Sequence, residues 1–397
     1  MESVFKTITL SLVGVTSVAC AATKQDNCCV TSPAPCYPDE SSCTYCVGPD
    51  RVNPPLRPKS CDGDFVVSLE GFYWSSHQDG MEFAIENDVF VPATPTRIQT
   101  EELNNLIDAE YKNPDFSWEF GFRVGLGYNS THDGWDITGY WTWYNGRASS
   151  HLEAERDDNH TLLPLWSAIG RSSGAGGVLW ATDIESHWKL SLNLIDVELG
   201  REFWVSKYMT LRPHVGLRGA WVDQDYEIEH KGGIWSTLTT PTNNAVTLKN
   251  DFKGVGVRAG FNSIWNIGKG FALFGDSAVS LVYGRFKVKH DEWNRAALTP
   301  FGKTRILETE DHFNASRAMT DLALGLQWST PFGQKCQYGF TLGLSWEHHM
   351  FFDQNQMWRV NNIQDSPSTG LFGQNAYYQR RGDLDTQGWT LNILFEF

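Results

Sequence analysis

The last ten residues, "GWTLNILFEF", alternate between apolar side chains and polar residues or glycine, and only Leu394 breaks the pattern. Side chains on a strand point to opposite faces with a period of two, so this stretch predicts a strand with one apolar and one polar face. The residues of the apolar face are Trp389, Leu391, Ile393, Phe395 and Phe397.

The same alternation recurs along most of the chain. It is complete over eleven residues in "WEFGFRVGLGY" at 118–128, and it returns in "MTLRPHVGLRGAW", "GVGVRAGFNSIW", "DLALGLQW" and "CQYGFTLGLSWE". In "HWKLSLNLIDVELG", at 187–200, the apolar positions change phase between Leu194 and Val197. One extra residue in a strand produces such a slip, so we expect a β-bulge there.

The connections between these segments alternate in length. Counting from "DFVVSLEGFYW" at 64–74 gives ten strands, and "MEFAIEN" at 81–87 and "TRILETE" at 304–310 are candidates for more. Short turns at one end and long loops at the other are typical of outer-membrane barrels. The short connections lie at about 129–133, 204–207, 266–269 and 330–335, and the long polar ones at about 76–116, 146–183, 224–251, 287–315 and 351–384.

These observations predict an all-β fold, a transmembrane antiparallel up-and-down β-barrel. We expect at least 10 strands, within a range of 10–16, with long extracellular loops and short periplasmic turns. An open sheet edge in lipid would leave backbone groups unsatisfied, so the strand that ends at Phe397 should pair with the one that begins near Asp64.

Strand length and aromatic placement favour a membrane barrel over a soluble β-sandwich. The alternating runs reach about nine to thirteen residues, enough for a tilted strand to cross a bilayer, whereas sandwich strands are usually about five or six. No run of about 18 apolar residues occurs, which excludes a helical span. Aromatic residues near strand ends would form interfacial girdles; these are Trp118, Tyr128, Trp135, Trp143, Trp188, Trp221, Trp265, Trp328, Tyr338 and Trp389.

The first residues predict export. Residues 1–21 combine Lys6, an apolar stretch and small residues at Ala19 and Ala21, as a signal peptide requires. Residues 22–62 are rich in Cys and Pro and form a periplasmic segment in this interpretation, and residues 63–397 form the barrel. The net charge of −15 argues against a nucleic-acid groove, so no nucleic-acid partner is expected.

Seven cysteines remain after Cys20 leaves with the signal peptide. Clustered cysteines in an exported protein favour disulfides over metal or redox chemistry, and the Cys43 to Cys46 spacing has no second pair to complete a zinc site. All seven fall on the periplasmic side of the predicted topology. Because seven is odd, we expect at least one intermolecular disulfide or free thiol. The disulfide candidates are Cys28, Cys29, Cys36, Cys43, Cys46, Cys61 and Cys336.

The inner face of the predicted strands carries many charges. Charged groups removed from bulk water must be paired or wet, so they form either a salt-bridged interior or a water-filled pore, and abundant inner-face glycine favours the pore. The pore-lining candidates are Glu119, Arg123, Arg212, His214, Arg218, Arg258, Asp276 and Asp321, and Glu70, Asp136, Glu198 and Glu347 share their face.

Catalytic chemistry has little support in the sequence. No "GxSxG" occurs, and His348 and His349 beside Glu347 are weak candidates for a metal or acid–base site. We therefore expect no enzyme activity, no metal and no cofactor.

Two long blocks, "GFRVGLGYNSTHDGWDITGYWTWY" at 121–144 and "LIDVELGREFWVSKYMTLRPHVGLRGAW" at 194–221, carry a family resemblance. With "DFVVSLEGFYWSSHQDGMEFAI" and the terminal "FEF", the chain resembles the major outer membrane protein family of Legionella and the MOMP-like proteins of chlamydia-related bacteria. The resemblance implies an abundant porin of the bacterial outer membrane, often oligomeric, that passes small hydrophilic solutes and ions. The Cys-rich segment resembles the disulfide cross-linking of such envelopes.

The leading hypothesis is therefore an outer-membrane porin that is also a disulfide-linked structural envelope protein. Its expected partners are outer-membrane lipid, further copies of the chain and other disulfide-linked envelope proteins. One alternative is a non-conducting structural or adhesive barrel whose loops bind host surface molecules. Another is a soluble secreted β protein, such as a lectin or glycosidase, with aromatic residues and paired carboxylates lining a sugar cleft.

Overall fold

A computed structural model of the chain describes residues 53–56, 58–59, 62–87, 109–154, 161–167, 171–172, 181–232, 242–296, 302–333, 337–364 and 374–397. Within these ranges every regular element is a strand, and no helix long and apolar enough to cross a membrane occurs there. The strands are β1 (Asp64–Gln78), β2 (Ala84–Asn87), β3 (Glu110–Lys112), β4 (Asp115–Phe116), β5 (Trp118–Asn129), β6 (Trp135–Glu153), β7 (Thr161–Pro164), β8 (Arg171–Ser172), β9 (Asp183–Arg201), β10 (Phe203–Ser206), β11 (Met209–Lys231), β12 (Thr242–Gly268), β13 (Phe271–Ala296), β14 (Lys303–Phe332), β15 (Tyr338–Asn355), β16 (Trp358–Gln364), β17 (Gln374–Gln379) and β18 (Gly382–Glu396).

Ten long strands form a closed antiparallel ring. Their order is β1, β5, β6, β9, β11, β12, β13, β14, β15 and β18, and β18 pairs with β1 to close the ring. Phe65 and Phe397 exchange both backbone hydrogen bonds at the seam. The predicted up-and-down barrel and its closure are therefore confirmed, with ten strands in the wall.

The outer surface carries a continuous apolar band. Large side chains are exposed on every barrel strand, among them Phe120 with 74% and Val255 with 64% of the side chain accessible. Exposure on this scale is unfavourable in water, and lipid contact removes the penalty. We call this band the apolar belt; its members include Leu69, Tyr73, Trp118, Phe120, Leu126, Trp135, Trp141, Ile195, Val197, Leu217, Trp221, Val255, Val257, Tyr283, Leu281, Leu322, Leu324, Leu326, Leu342, Leu344, Trp346, Trp389, Leu391 and Phe395.

The predicted bulge in β9 is wrong. The strand pairs with β6 and with β11 in one unbroken register from Asp183 to Gly200. Side chains at even positions point into the barrel throughout, and they change from apolar Leu192 and Leu194 to charged Asp196 and Glu198. The phase slip in the sequence therefore marks a change in what fills the interior.

Two of the predicted long loops are mostly strand. β11 continues to Lys231 and β12 begins at Thr242, so the loop expected at 224–251 is the top of a hairpin. The loop expected at 287–315 is likewise occupied by β13 and β14, and "TRILETE" lies within β14. The wall of the barrel thus continues well beyond the apolar belt at the long-loop end.

Short inner segments fill this extended end. β2, within "MEFAIEN", pairs with β3 and β7 in a small sheet separate from the wall, and β16 pairs with β17 and β8 in another. Together with inward side chains of the wall they form one hydrophobic cluster, which we call the upper core. It includes Phe72, Trp74, Met81, Phe83, Tyr144, Trp166, Trp188, Leu190, Leu192, Tyr226, Leu248, Phe252, Phe286, Phe351 and Met357.

The described residues that precede β1 lie at the opposite, short-turn end. Leu56 N donates to Glu202 O and Trp204 N donates to Pro54 O, while Lys59 forms an ion pair with Glu396. The predicted signal peptide and all seven disulfide candidates lie outside the described residues.

Candidate functional site

A layer of charged side chains crosses the barrel interior at the level of the apolar belt. These residues alternate with lipid-facing neighbours such as Leu69, Leu217 and Val257, which fixes their height in the wall. We call the set the charged layer: Glu70, Arg123, Asp136, Asp196, Glu198, Arg212, His214, Arg218, Arg258, Asp276, Asp321, Glu347 and His349.

Arg123 on β5 connects two carboxylates on other strands. Its Nη1 donates to Glu70 Oε2 at 2.5 Å and its Nη2 to Glu347 Oε2 at 3.1 Å. Its Nε donates to Thr142 Oγ1 at 3.1 Å. Two strands, β1 and β18, separate β5 from β15 in the ring, so the Arg123–Glu347 pair reaches across part of the lumen.

Asp321 on β14 lies at the centre of a second group. It accepts a hydrogen bond from Arg258 Nη1, and its Oδ2 lies 2.9 Å from Arg218 Nη1. Its Oδ1 lies 2.7 Å from His349 Nδ1, while His349 Nε2 lies 3.0 Å from Glu347 Oε2. His349 therefore joins the Arg123 group to the Asp321 group.

Arg218 and Arg258 also bind carboxylates of β9. Arg218 donates from Nε and Nη2 to the two oxygens of Asp196, at 2.7 and 2.8 Å, in a bidentate geometry. Arg258 Nε donates to Glu198 Oε1 at 2.9 Å, across the intervening strand β11. Bidentate charge-assisted pairs are the strongest hydrogen bonds available to a buried arginine.

Arg212 completes the layer on its short-turn side. It binds Asp136 at 2.6 Å, Glu198 at 3.2 Å and the side-chain oxygen of Asn262 at 2.8 Å. The amide nitrogen of Asn262 in turn donates to Asp276 Oδ1 at 2.7 Å.

The layer is close-packed rather than open. Arg218 is 2% exposed, and a cavity of about 150 Å³ remains among these side chains. Four guanidinium groups face seven carboxylates in the set defined above, so the cavity carries an excess of negative charge when every carboxyl is ionised.

The upper core covers this layer directly. Trp74 lies with its ring centroid 4.7 Å from that of His349, and Phe72 stacks on Trp74. Trp74 is 1% exposed and its Nε1 donates to Thr390. Side chains of the wall and the inner segments thus close the lumen on the long-loop side of the charges.

Most predicted pore-lining residues lie in this layer. Arg123, Arg212, His214, Arg218, Arg258, Asp276 and Asp321 all face inward there. Glu119 shares the inner face of β5, but its neighbour across the ladder is Trp74, so it lies at the height of the upper core.

Sequence reasoning missed two members of the layer. Asp196 was obscured by the supposed bulge, although counting back by two from Glu198 places it inward. From the sequence His349 is a metal or acid–base candidate beside Glu347, and in the structure it lies between the carboxylates of Asp321 and Glu347. Among the described residues no cluster has the composition and spacing of a metal site.

Polar groups are also enclosed within the upper core. Glu292 accepts hydrogen bonds from Ser167 Oγ at 2.6 Å and from Asn244 Nδ2 at 2.7 Å, and His290 Nε2 lies 3.8 Å from it. His230 Nδ1 lies 3.0 Å from Asn244 Oδ1. Burial lowers the pKa of both His230 and His290 to about 4.

Solved structures that match this chain share little sequence identity with it. The outer membrane protease OmpT from Escherichia coli is 11% identical, with 84% of this chain and 96% of that chain covered and a TM-score of 0.30. A Pseudomonas aeruginosa FadL homologue is 6% identical, with 85% and 90% covered and a TM-score of 0.22. The P. putida toluene transporter TodX is 6% identical, with 84% and 89% covered and a TM-score of 0.17.

No curated protein sequence matches the chain. The family model described as the Legionella pneumophila major outer membrane protein precursor matches residues 61–396. The chain therefore belongs to this major outer membrane protein family, and its barrel lies in the outer membrane.

Proposed function

We propose that this protein is a structural barrel of the outer membrane whose lumen is closed to general solute diffusion. The observation that carries the proposal is the charged layer, whose ion pairs cross the lumen and lie beneath the upper core. An open channel would require these pairs to separate. Separating them would sacrifice short charge-assisted hydrogen bonds, which disfavours an open state.

The height of the wall supports the same proposal. β11 to β14 continue beyond the apolar belt and enclose the upper core, so a rigid, folded module stands outside the membrane. Barrels of about eight to ten strands generally fill their interiors with side chains, and wide aqueous channels need more strands.

Porin activity is the second candidate function. The observation that favours it is the polar cavity of about 150 Å³ at the level of the apolar belt, lined by charged groups. A conducting form would need the upper core to move away from the charged layer, and its selectivity would then depend on the inward arginines.

Single-channel conductance of the refolded full chain in a planar bilayer distinguishes the two functions, measured with and without reductant. The structural proposal expects no reproducible steps under either condition. Stepwise conductance would support the porin, and the ion selectivity should then change in Arg123→Gln and Arg258→Gln. Arg147→Gln is the matched control, because Arg147 is exposed on the outer surface.

A structural role also predicts covalent cross-linking. Residues 53–56 and 58–59 lie at the short-turn end, the periplasmic end of outer-membrane barrels, so the cysteines that precede them are expected on that side. Native envelopes separated on non-reducing gels should contain oligomers that reductant dissolves. A purely monomeric band would contradict the cross-linking.

A further inference from the structure

Two cations stand side by side at the outer edge of the apolar belt. Lys253 on β12 and Arg285 on β13 are register partners, and each is the first outward residue beyond an exposed apolar side chain, Val255 and Tyr283 respectively. Both are themselves exposed. Register partners on one face of a sheet have their Cβ atoms about 4.5–5.5 Å apart, so the two charges are close.

This pair lacks the carboxylate partners that its neighbours have. On the same face, Lys249 lies 2.8 Å from Asp225, while Lys287 and Lys289 lie 3.3 and 3.0 Å from Glu310. Neither Lys253 nor Arg285 forms an ion pair with any residue that the structure describes. Like charges directly opposite each other destabilise a sheet, so the bare protein carries a cost here that an anion would remove.

The surroundings are those of the membrane boundary. Trp221 is the register partner of Lys253 on β11, and Asn314 is that of Arg285 on β14. Trp and Tyr side chains are typical of the headgroup level of a bilayer. Asp223 and Asp251, which are opposite each other, occupy the next outward row together with Lys287, and the two carboxylates disfavour an anion there. Asp251 also attracts Lys253 on the same face, without forming an ion pair with it.

We propose that Lys253 and Arg285 bind a phosphate group of a lipid in the outer leaflet. The anion would lie between the ammonium and guanidinium groups, with Asn314 within reach as a further donor, and the acyl chains would run down the wall along Val255, Leu281 and Tyr283. Arginine binds phosphate through paired N–H groups and lysine binds it as a point charge. Continuity with the lipid-facing belt selects a membrane lipid over a soluble phosphate.

The chain offers a matched control pair. Arg147 on β6 and Lys189 on β9 are also outward, exposed and directly opposite each other, without an ion pair to a described residue. They lie farther beyond the belt than the first pair. On the outer face of β6, Asn145 lies between Arg147 and Trp143. On the outer face of β9, Ser191 and Asn193 lie between Lys189 and Ile195. Each double glutamine variant removes two positive charges, and the two variants differ in the distance of those charges from the apolar belt.

The test uses the refolded full chain in phosphatidylcholine vesicles, with and without lipid A, a phosphorylated glycolipid. The readout is the temperature at which the folded band converts to the unfolded band on a gel. Lipid A should raise this temperature for the wild-type chain. Lys253→Gln/Arg285→Gln should lose more than half of the increase, while Arg147→Gln/Lys189→Gln should keep it.

Each outcome decides the proposal. In pure phosphatidylcholine the Lys253→Gln/Arg285→Gln variant should be at least as stable as the wild type, which shows that it folds. A full lipid A effect in that variant, or an equal loss in the control, would overturn the site. If inorganic phosphate in lipid-free detergent raises the wild-type temperature as much as lipid A does, the site binds a soluble anion and the lipid assignment is wrong.

Discussion

The same ten strands enclose two interiors of opposite chemistry. At the level of the apolar belt, β9 points Ile195 and Val197 outward and Asp196 inward. Nearer the long-loop end, the same strand points Lys189 outward and Leu190 inward. The register with both neighbours does not change between the two regions. The polarity of the two faces therefore inverts along the strand while the backbone geometry stays constant.

The solvent on the outer face explains the inversion. Where lipid surrounds the wall, apolar side chains face out and the charges are confined to the lumen, where they must find one another. Where water surrounds the wall, the charges face out and the interior becomes an ordinary hydrophobic core. At the membrane boundary the alternation keeps its period of two, but the apolar positions move from the outer face to the inner face.

Acid should distinguish the two regions most strongly, because His230 and His290 are buried in the upper core. Their folded pKa values of about 4 lie below the ordinary value of 6.5, so the unfolded chain binds more protons between these limits. Stability is fully present above about pH 6.5 and is lost as the pH falls towards 4, by up to about 3 kcal/mol for each histidine at 1.36 kcal/mol per pKa unit.

Asn244 lies beside His230, and Glu292, Asp291 and the Trp358 backbone lie beside His290. The free energy of unfolding should therefore be compared between pH 7.5 and 4.5 for the wild type and for His230→Gln/His290→Gln. The variant should show a smaller loss over this interval. An identical pH dependence in both chains would show that the histidines do not titrate in this way.

A single substitution in the charged layer should lower the free energy of unfolding almost as much as acid does through the two histidines. Arg218→Met leaves Asp196 buried without its bidentate partner, and an uncompensated buried charge costs about 3–5 kcal/mol. Asp321 also loses Arg218 but keeps its ion pair with Arg258. Asp196→Leu/Arg218→Met removes both charges and should recover most of that loss, as replacing buried ion pairs by apolar residues often does. Urea unfolding of the two variants in lipid vesicles measures the difference. If the double variant is no more stable than the single one, the layer does not behave as a set of paired buried charges.

Alternation in the sequence was sufficient to predict the barrel and most of its inward charges. A period of two fixes the face of Arg123, Arg218 or Asp321 without any knowledge of the ring. It does not fix which strands face each other across the lumen, so the Arg123–Glu347 and Arg258–Asp321 pairs depend on distant register.

The failures of prediction have one physical cause. We assumed a single rule, apolar outside and polar inside, along each whole strand. Outside the membrane that rule inverts. The inward apolar residues Leu192 and Leu194 therefore led to the predicted bulge, and the polar outer faces of β11 to β14 led to the predicted loops. The boundary itself was present in the sequence at the phase slip after Leu194.

A cavity in the upper core should cost nearly as much as a broken pair in the charged layer. Leu248 is completely buried, and truncation of such a leucine to alanine costs about 2–5 kcal/mol. Leu324 on β14 is the matched control, because its side chain is 57% exposed on the lipid face and lipid fills the space left by alanine. The free energies of unfolding of Leu248→Ala and Leu324→Ala in the same vesicles give the comparison. Equal losses would show that the upper core is not packed as a protein interior.

The smallest predicted effect concerns the attachment of the inner segments to the wall. Tyr226 on β11 donates its hydroxyl to the carbonyl of Met81 at 2.8 Å, and Tyr144 on β6 donates to the carbonyl of Trp74 at 3.0 Å. Each Tyr→Phe change should cost about 1 kcal/mol, the usual net value of one hydrogen bond. The two variants should differ in the region that is destabilised, because Met81 belongs to an inner segment and Trp74 to a wall strand.

Amide hydrogen exchange at 83–87 should accelerate in Tyr226→Phe and not in Tyr144→Phe. Acceleration in both would mean that the inner segments open only when the wall does, so the upper core and barrel would form a single cooperative unit.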